Sequence, residues 1–257
     1  MTAYDVLRSE WGKFHSIRAT LGCLAGALAA TAAYGYLFGL ADARRYLAGS
    51  AADRAAFDPT DTGFRALVLA GVLVSAVGVL AVTSEYASGT MPVSVAAVPR
   101  RGLLLGGKAA VVAVVTLVAG PPMALVSFTL SQLSLAARNV PSAGLGDPGV
   151  LGAVAGAGLF TGLVGLYGVA LGFLLRRSAG AVSLGTFLLI LPGMASLFPD
   201  ALAEWIVAWW PSAAGARVFA VHPGSGGPAP LTGIGVLAAT VLALLCAAAA
   251  VFRARDV

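Results

Sequence analysis

Apolar and polar positions fall along this chain in long blocks rather than in short periods. Six stretches lack Asp, Glu, Lys and Arg altogether: residues 19–41, 66–84, 109–137, 148–175, 178–199 and 218–252. Each can form an apolar helix of about 20 residues, roughly the 30 Å that crosses the hydrocarbon core of a bilayer. None shows the strict polar and apolar alternation of a barrel strand, and helices satisfy their backbone groups internally where water is absent. The pattern predicts one all-α membrane domain over residues 1–257, with spans at about 19–40, 64–86, 108–132, 150–175, 178–198 and 231–252.

Shorter elements are predicted between the blocks. Tyr4, Leu7, Trp11 and Phe14 recur at spacings of three and four, which predicts a helix over 1–16 lying flat at the membrane surface. The segment 42–63 is polar enough for water, and Asp58, Pro59 and Asp61 mark a turn, so it reads as a connector with room for a short helix. Pro192, Pro199 and Pro211 bracket Trp205, Ile206, Val207, Trp209 and Trp210. The fifth span is therefore expected to end in a broken, partly re-entrant hairpin with an indole-rich edge. Pro121 and Pro122 are expected to kink the third span. In the fourth, Gly152, Gly156, Gly158, Gly162, Gly165, Gly168 and Gly172 have the small-residue spacing of close helix contact.

Composition agrees with a lipid solvent. The chain is 59% hydrophobic and 11% charged with a mean hydropathy of +0.91, too few polar groups to coat a water-soluble globule. Basic residues exceed acidic ones, 16 to 11, and their placement sets topology rather than suggesting nucleic acid. Arg8, Lys13, Arg18, Arg100, Arg101, Lys108, Arg176, Arg177, Arg253 and Arg255 fall at one set of span ends. The other set holds Arg44, Arg45, Arg54, Arg65, Arg138 and Arg217 with most of the acids: Asp42, Asp53, Asp58, Asp61, Asp147, Asp200 and Glu204. By the positive-inside rule both termini are cytoplasmic. The first run is long enough to remain as a span, and Arg outnumbering Lys fourteen to two, with abundant Ala, Gly and Val, points to a GC-rich bacterial genome and so to a bacterial plasma membrane.

Several apparent sites lose their chemistry when read in place. Gly102-x4-Gly107-Lys108 lacks the Ser or Thr of a phosphate loop, having Ala109 instead, and leads into an apolar helix. Gly224-Ser225-Gly226-Gly227 reads as a turn. His15 and His222 are predicted on opposite faces, so no metal or catalytic dyad forms from them. Cys23 and Cys246 lie inside apolar runs and read as buried, inert thiols. No ionisable residue is placed at mid-span, which disfavours an ion-coupled carrier or intramembrane enzyme. Ser75, Thr116, Ser127, Thr129, Thr161, Ser183 and Thr186 remain, suited to hydrogen bonding between helices or to a large, greasy cargo.

The inner segment 84–101 stands apart. Glu85 sits at the membrane edge, Gly89 turns the chain, Thr90 or Met91 caps a helix with Pro92 in its first turn, and Pro99 stops it before Arg100 and Arg101. Met91, Val93, Val95 and Val98 are more apolar than a solvated loop warrants, which suits a helix at about 90–98 seated in a cleft of another protein.

Glu-x-x-x-Gly-Thr, this short helix, Pro-Arg-Arg and the following Lys108 resemble the loop between the second and third spans of ABC transporter permease subunits of the ABC-2 type. The stretch Leu7-Arg8-Ser9-Glu10-Trp11-Gly12-Lys13-Phe14 is similar to their opening. Pro92 departs from the residues more usual at its position. The resemblance implies a bacterial exporter subunit that itself has no catalytic residue and no cofactor, with ATP and Mg carried by two copies of a separate ABC ATP-binding subunit. It also implies a second permease copy or a homologous permease. Residues 90–98 would be the coupling helix, with Glu85, Gly89 and Thr90 shaping its entry and Pro99, Arg100 and Arg101 its exit. The cargo expected is an amphipathic or hydrophobic drug, antibiotic, peptide or lipid. A non-transporting structural or assembly membrane protein is the other class that shares this topology.

Overall fold

The computed structural model describes residues 2–222, 224 and 226–254. Arg255 and Ser225, named above, lie outside the described residues. Every regular element among those described is helical. Helix α1 (Ala3–Ser16) opens on a capping box in which the Thr2 hydroxyl accepts from the Asp5 amide and the Asp5 carboxylate accepts from the Thr2 amide. Then come α2 (Arg18–Ala48), α3 (Ala51–Ala55), α4 (Pro59–Phe64), α5 (Ala66–Ala87), α6 (Met91–Ala97), α7 (Arg101–Ala136), α8 (Val150–Leu175) and α9 (Ser178–Ile190). A 3-10 turn (Leu191–Leu197), α10 (Asp200–Trp209), α11 (Pro211–Ala216), a second 3-10 turn (Arg217–Phe219) and α12 (Pro230–Ala254) complete the chain.

Among the described residues six helices are long and apolar enough to cross a membrane: Arg18–Ala48, Pro59–Ala87, Arg101–Ala136, Val150–Leu175, Ser178–Leu197 and Pro230–Ala254. The architecture is that of a multi-pass membrane protein. Its centre is the pair α5 and α8, the two helices most buried by their neighbours. They run parallel and touch backbone to backbone: a Cβ on Gly168 would meet the Ser75 carbonyl, one on Gly78 would meet the Gly165 carbonyl, and one on Gly172 would press on Val82. Glycine is what allows that approach. On its other side α8 meets α7, where the Thr161 hydroxyl donates to the Thr116 carbonyl at 2.9 Å and Gly165 abuts the Thr116 side chain. Apart from Gly152, whose Cβ position faces open space, the glycines of the fourth span therefore serve packing inside the chain. Helix α7 continues through Pro121 and Pro122 as one helix.

The first and third spans are longer than their uncharged runs. Helix α2 carries on past residue 41 to Ala48, and Asp42, expected in a solvated connector, is buried in it. The Asp42 carboxylate accepts from Thr62 at 2.8 Å and pairs with Arg65 at 3.2 Å, so its charge is met locally and does not end the helix. The connector itself is two short helices. Ser50 with Asp53 forms a capping box for α3, and the Asp58 carboxylate caps α4 at the Thr60 amide, with Pro59 in the first turn.

After α9 the chain breaks, as the prolines predicted, and doubles back. The Trp210 indole N–H donates to the Leu188 carbonyl at 2.7 Å and the Ser212 hydroxyl to the Leu189 carbonyl at 3.0 Å, which ties the start of α11 to the end of α9. Gly215 and Gly233 then let α11 lie close on α12. The thiols depart from expectation: Cys246 is exposed on the face of α12 and Cys23 is half-buried on α2. An apolar run marks contact with lipid as readily as contact with protein.

Candidate functional site

The two ends of the bundle differ in charge. At one end gather α1, the α5 to α7 segment, the α8 to α9 junction and the end of α12, with Arg8, Lys13, Arg18, Arg100, Arg101, Lys108, Arg176, Arg177 and Arg253 against Asp5, Glu10 and Glu85. Contacts close this basic end: Arg101 donates to the carbonyls of Phe252 at 2.9 Å and Arg253 at 3.2 Å, Ser178 donates to Thr83 at 2.7 Å, and the Arg176 guanidinium lies over the Tyr86 ring. At the other end His222 meets Asp58 at 2.9 Å and the Gln132 amide donates to the Pro59 carbonyl at 2.8 Å. His15 and His222 thus sit at opposite ends, and the described residues contain no cluster of His, Cys, Asp and Glu able to hold a metal.

Inside the basic end is an ionic core that joins four elements. Lys108, on the first turns of α7 and with only 2% of its side chain exposed, lies 2.7 Å from Glu10 Oε2 of α1 and 2.5 Å from Glu85 Oε1 of α5. Lys13 closes the ring from the half-exposed side, 2.7 Å from Glu10 Oε1 and 3.1 Å from Glu85 Oε1. Its ammonium also donates to the Ser94 hydroxyl of α6 at 3.1 Å. Two lysines balance two carboxylates, the condition under which charges survive burial. Burial alone would lower the Lys13 pKa, but the bonds and charges of Glu10 and Glu85 outweigh it and hold the ammonium above its usual 10.5.

Helix α6 rests on this core. Gly89 turns the chain at φ +68°, a conformation that favours glycine, and Thr90 stands at the N-cap without a side-chain capping bond, its hydroxyl turned to Ser88 at 2.8 Å and the Glu85 carbonyl at 3.5 Å. The helix is shorter than 90–98. Of its four apolar residues, Met91 and Val98 are fully buried against the protein's own Val77, Leu104 and Phe252 cluster, and Val95 is half-buried there. They are not free for a cleft elsewhere. Val93, 68% exposed, is the large apolar side chain that points away, flanked by exposed Pro92, Ala96 and Ala97. Pro99 and Arg100 are exposed beyond it, whereas Arg101 is tied to α12 and Glu85 to the ionic core.

The stripe on α1 also divides. Phe14 turns inward with Val6 and Glu10, while Tyr4, Leu7 and Trp11 stay exposed. Gly102 to Lys108, which loosely resembled a phosphate loop, is continuous helix, and Gly107 is where Val6 packs. Glu10, Lys13, Ser94 and Lys108 are the residues that sequence reading did not assign to the site. No family model matches the chain, and no curated protein matches it.

Proposed function

We propose that this chain is the membrane-spanning permease subunit of an ATP-driven ABC-2 type exporter in a bacterial cytoplasmic membrane. In this reading the basic end and both termini face the cytoplasm, α1 lies at the inner surface with Tyr4, Leu7 and Trp11 toward lipid, and α6 is the coupling helix. ATP and Mg belong to two separate ATP-binding subunits, a second permease copy completes the assembly, and the cargo is an amphipathic or hydrophobic molecule.

The observation that carries this reading is the mounting of α6. A short helix of mostly exposed outer face, built from Pro92, Val93, Ala96 and Ala97, is fixed underneath by Met91, Val98 and the Lys13 to Ser94 bond. A push on it reaches α1, α5 and α7 together through Glu10, Glu85 and Lys108. Small displacements at such a junction can shift packed helices between two arrangements. A merely structural membrane protein needs no such pedestal.

The test is co-purification of the tagged chain from its own host, with the co-eluting ATP-binding subunit identified by mass and by ATP hydrolysis. Val93→Asp combined with Ala96→Asp is expected to abolish that capture while leaving the melting temperature of the purified chain unchanged, since both positions are exposed. An ATP-binding subunit retained by the double variant would remove the coupling role. A wild-type chain that brings down none would favour a structural or assembly protein.

A further inference from the structure

The second feature is a cavity far from α6. Between α8, the end of α9, the doubled-back α10 and α11, and α12 lies a space of about 340 Å³, within the range of small-molecule sites. Its walls include Val164 and Tyr167 of α8, Trp205 and Trp210 of the hairpin, and Leu237 and Thr240 of α12. No charged residue lines it.

Three properties narrow what fits. The absence of a basic side chain leaves nothing to fix a phosphate, so a phospholipid headgroup finds no partner here. Trp205 and Trp210 stand edge to face with ring centroids 6.3 Å apart, a wall suited to another aromatic ring. Tyr167 is 6% exposed, and its hydroxyl is buried without a hydrogen-bond partner. The polar groups beside it are committed as donors: Trp210 to Leu188, Ser212 to Leu189 and Thr240 to Val236. A buried hydroxyl left unpaired is costly, and an acceptor brought by a ligand recovers that cost.

The geometry points to a binding site for a small neutral aromatic molecule that carries one hydrogen-bond acceptor, such as a carbonyl, directed to the Tyr167 hydroxyl. It stands independently of the transport reading.

Benzophenone and diphenylmethane are matched probes, alike in their two rings and differing in the carbonyl. The full chain is titrated with each in nanodiscs, reading tryptophan emission, and benzophenone photolabelling is mapped by peptide mass. Wild type is expected to bind benzophenone about 5- to 10-fold more tightly than diphenylmethane, the worth of one buried hydrogen bond, with label on α8, α12 or the hairpin. Tyr167→Phe should abolish the ratio but keep diphenylmethane binding, and Thr240→Phe should weaken both by filling the space. Equal affinities of wild type for the two probes, labelling spread over all spans, or binding unaffected by both variants would overturn the site. Loss of the benzophenone signal when excess phosphatidylglycerol is added would assign the cavity to lipid and overturn the proposal too.

Discussion

Lys108→Met isolates the ionic core. The methionine keeps the length and apolar stem of the lysine but removes an ammonium that lies 2.7 Å from Glu10 and 2.5 Å from Glu85. Both carboxylates are almost fully buried, so water cannot replace it. Removing one partner of a buried pair costs about 3 to 5 kcal/mol. Lys13 stays within 2.7 Å of Glu10 and 3.1 Å of Glu85, which argues for the lower end, about 3 kcal/mol. For a chain of this size that is a fall of roughly 6 to 12 °C in apparent melting temperature, measurable by differential scanning fluorimetry of detergent-purified protein. The double variant Lys108→Met with Glu85→Met restores charge balance, since the Lys13 to Glu10 pair remains. It should therefore melt above the single variant. A single variant that melts with wild type, or a double variant below the single one, would refute the reasoning.

Two further outcomes follow from the packing and the charges. Gly78→Ala and Gly168→Ala each place a methyl against a backbone carbonyl of the facing helix, and should destabilise by about 1 to 3 kcal/mol, whereas Gly152→Ala, with open space at its Cβ, should melt unchanged in the same assay. The Lys13 pKa is raised in the folded chain, so its contribution is complete below the ordinary lysine value of 10.5 and is lost as pH rises through the higher folded value. Emission from Trp11 on α1, read in a variant lacking the other three tryptophans, should stay constant from pH 7 to about 10 and change only above that. A change already complete at pH 9 would contradict it.

How much of this was legible in the sequence differs by kind of interaction. Continuous apolar runs gave the six long helices, because length and composition alone decide whether a helix can live in lipid. Their ends were misjudged where a charge finds its partner far along the chain, as Asp42 does with Arg65, a pairing that no local window contains. The ionic core was missed for the same reason. Lys108 read as a boundary charge, Glu85 as part of the entry to the short inner helix and Glu10 as one residue of the opening stretch, and only the fold shows that the three meet. On α6 the apolar residues were identified correctly but their direction was not, because a helix of seven residues carries too little periodicity to say that Met91 and Val98 turn inward and Val93 outward. The thiols taught the opposite lesson: apolar surroundings in sequence placed Cys246 on the outer face of α12.

The glycine seam between α5 and α8 has a mechanical consequence. Two rods in register that touch backbone to backbone at Gly78, Gly165 and Gly168 resist sliding, because any axial shear drives a carbonyl into the facing backbone. They form one rigid unit. Gly89 joins α6 to the Ala87 end of that unit, and Tyr167 is the neighbour of Gly168 on its flank. The aromatic chamber has one wall on this unit, at Val164 and Tyr167, and another on α12, at Leu237 and Thr240, so any shift of the unit against α12 would change the chamber's width.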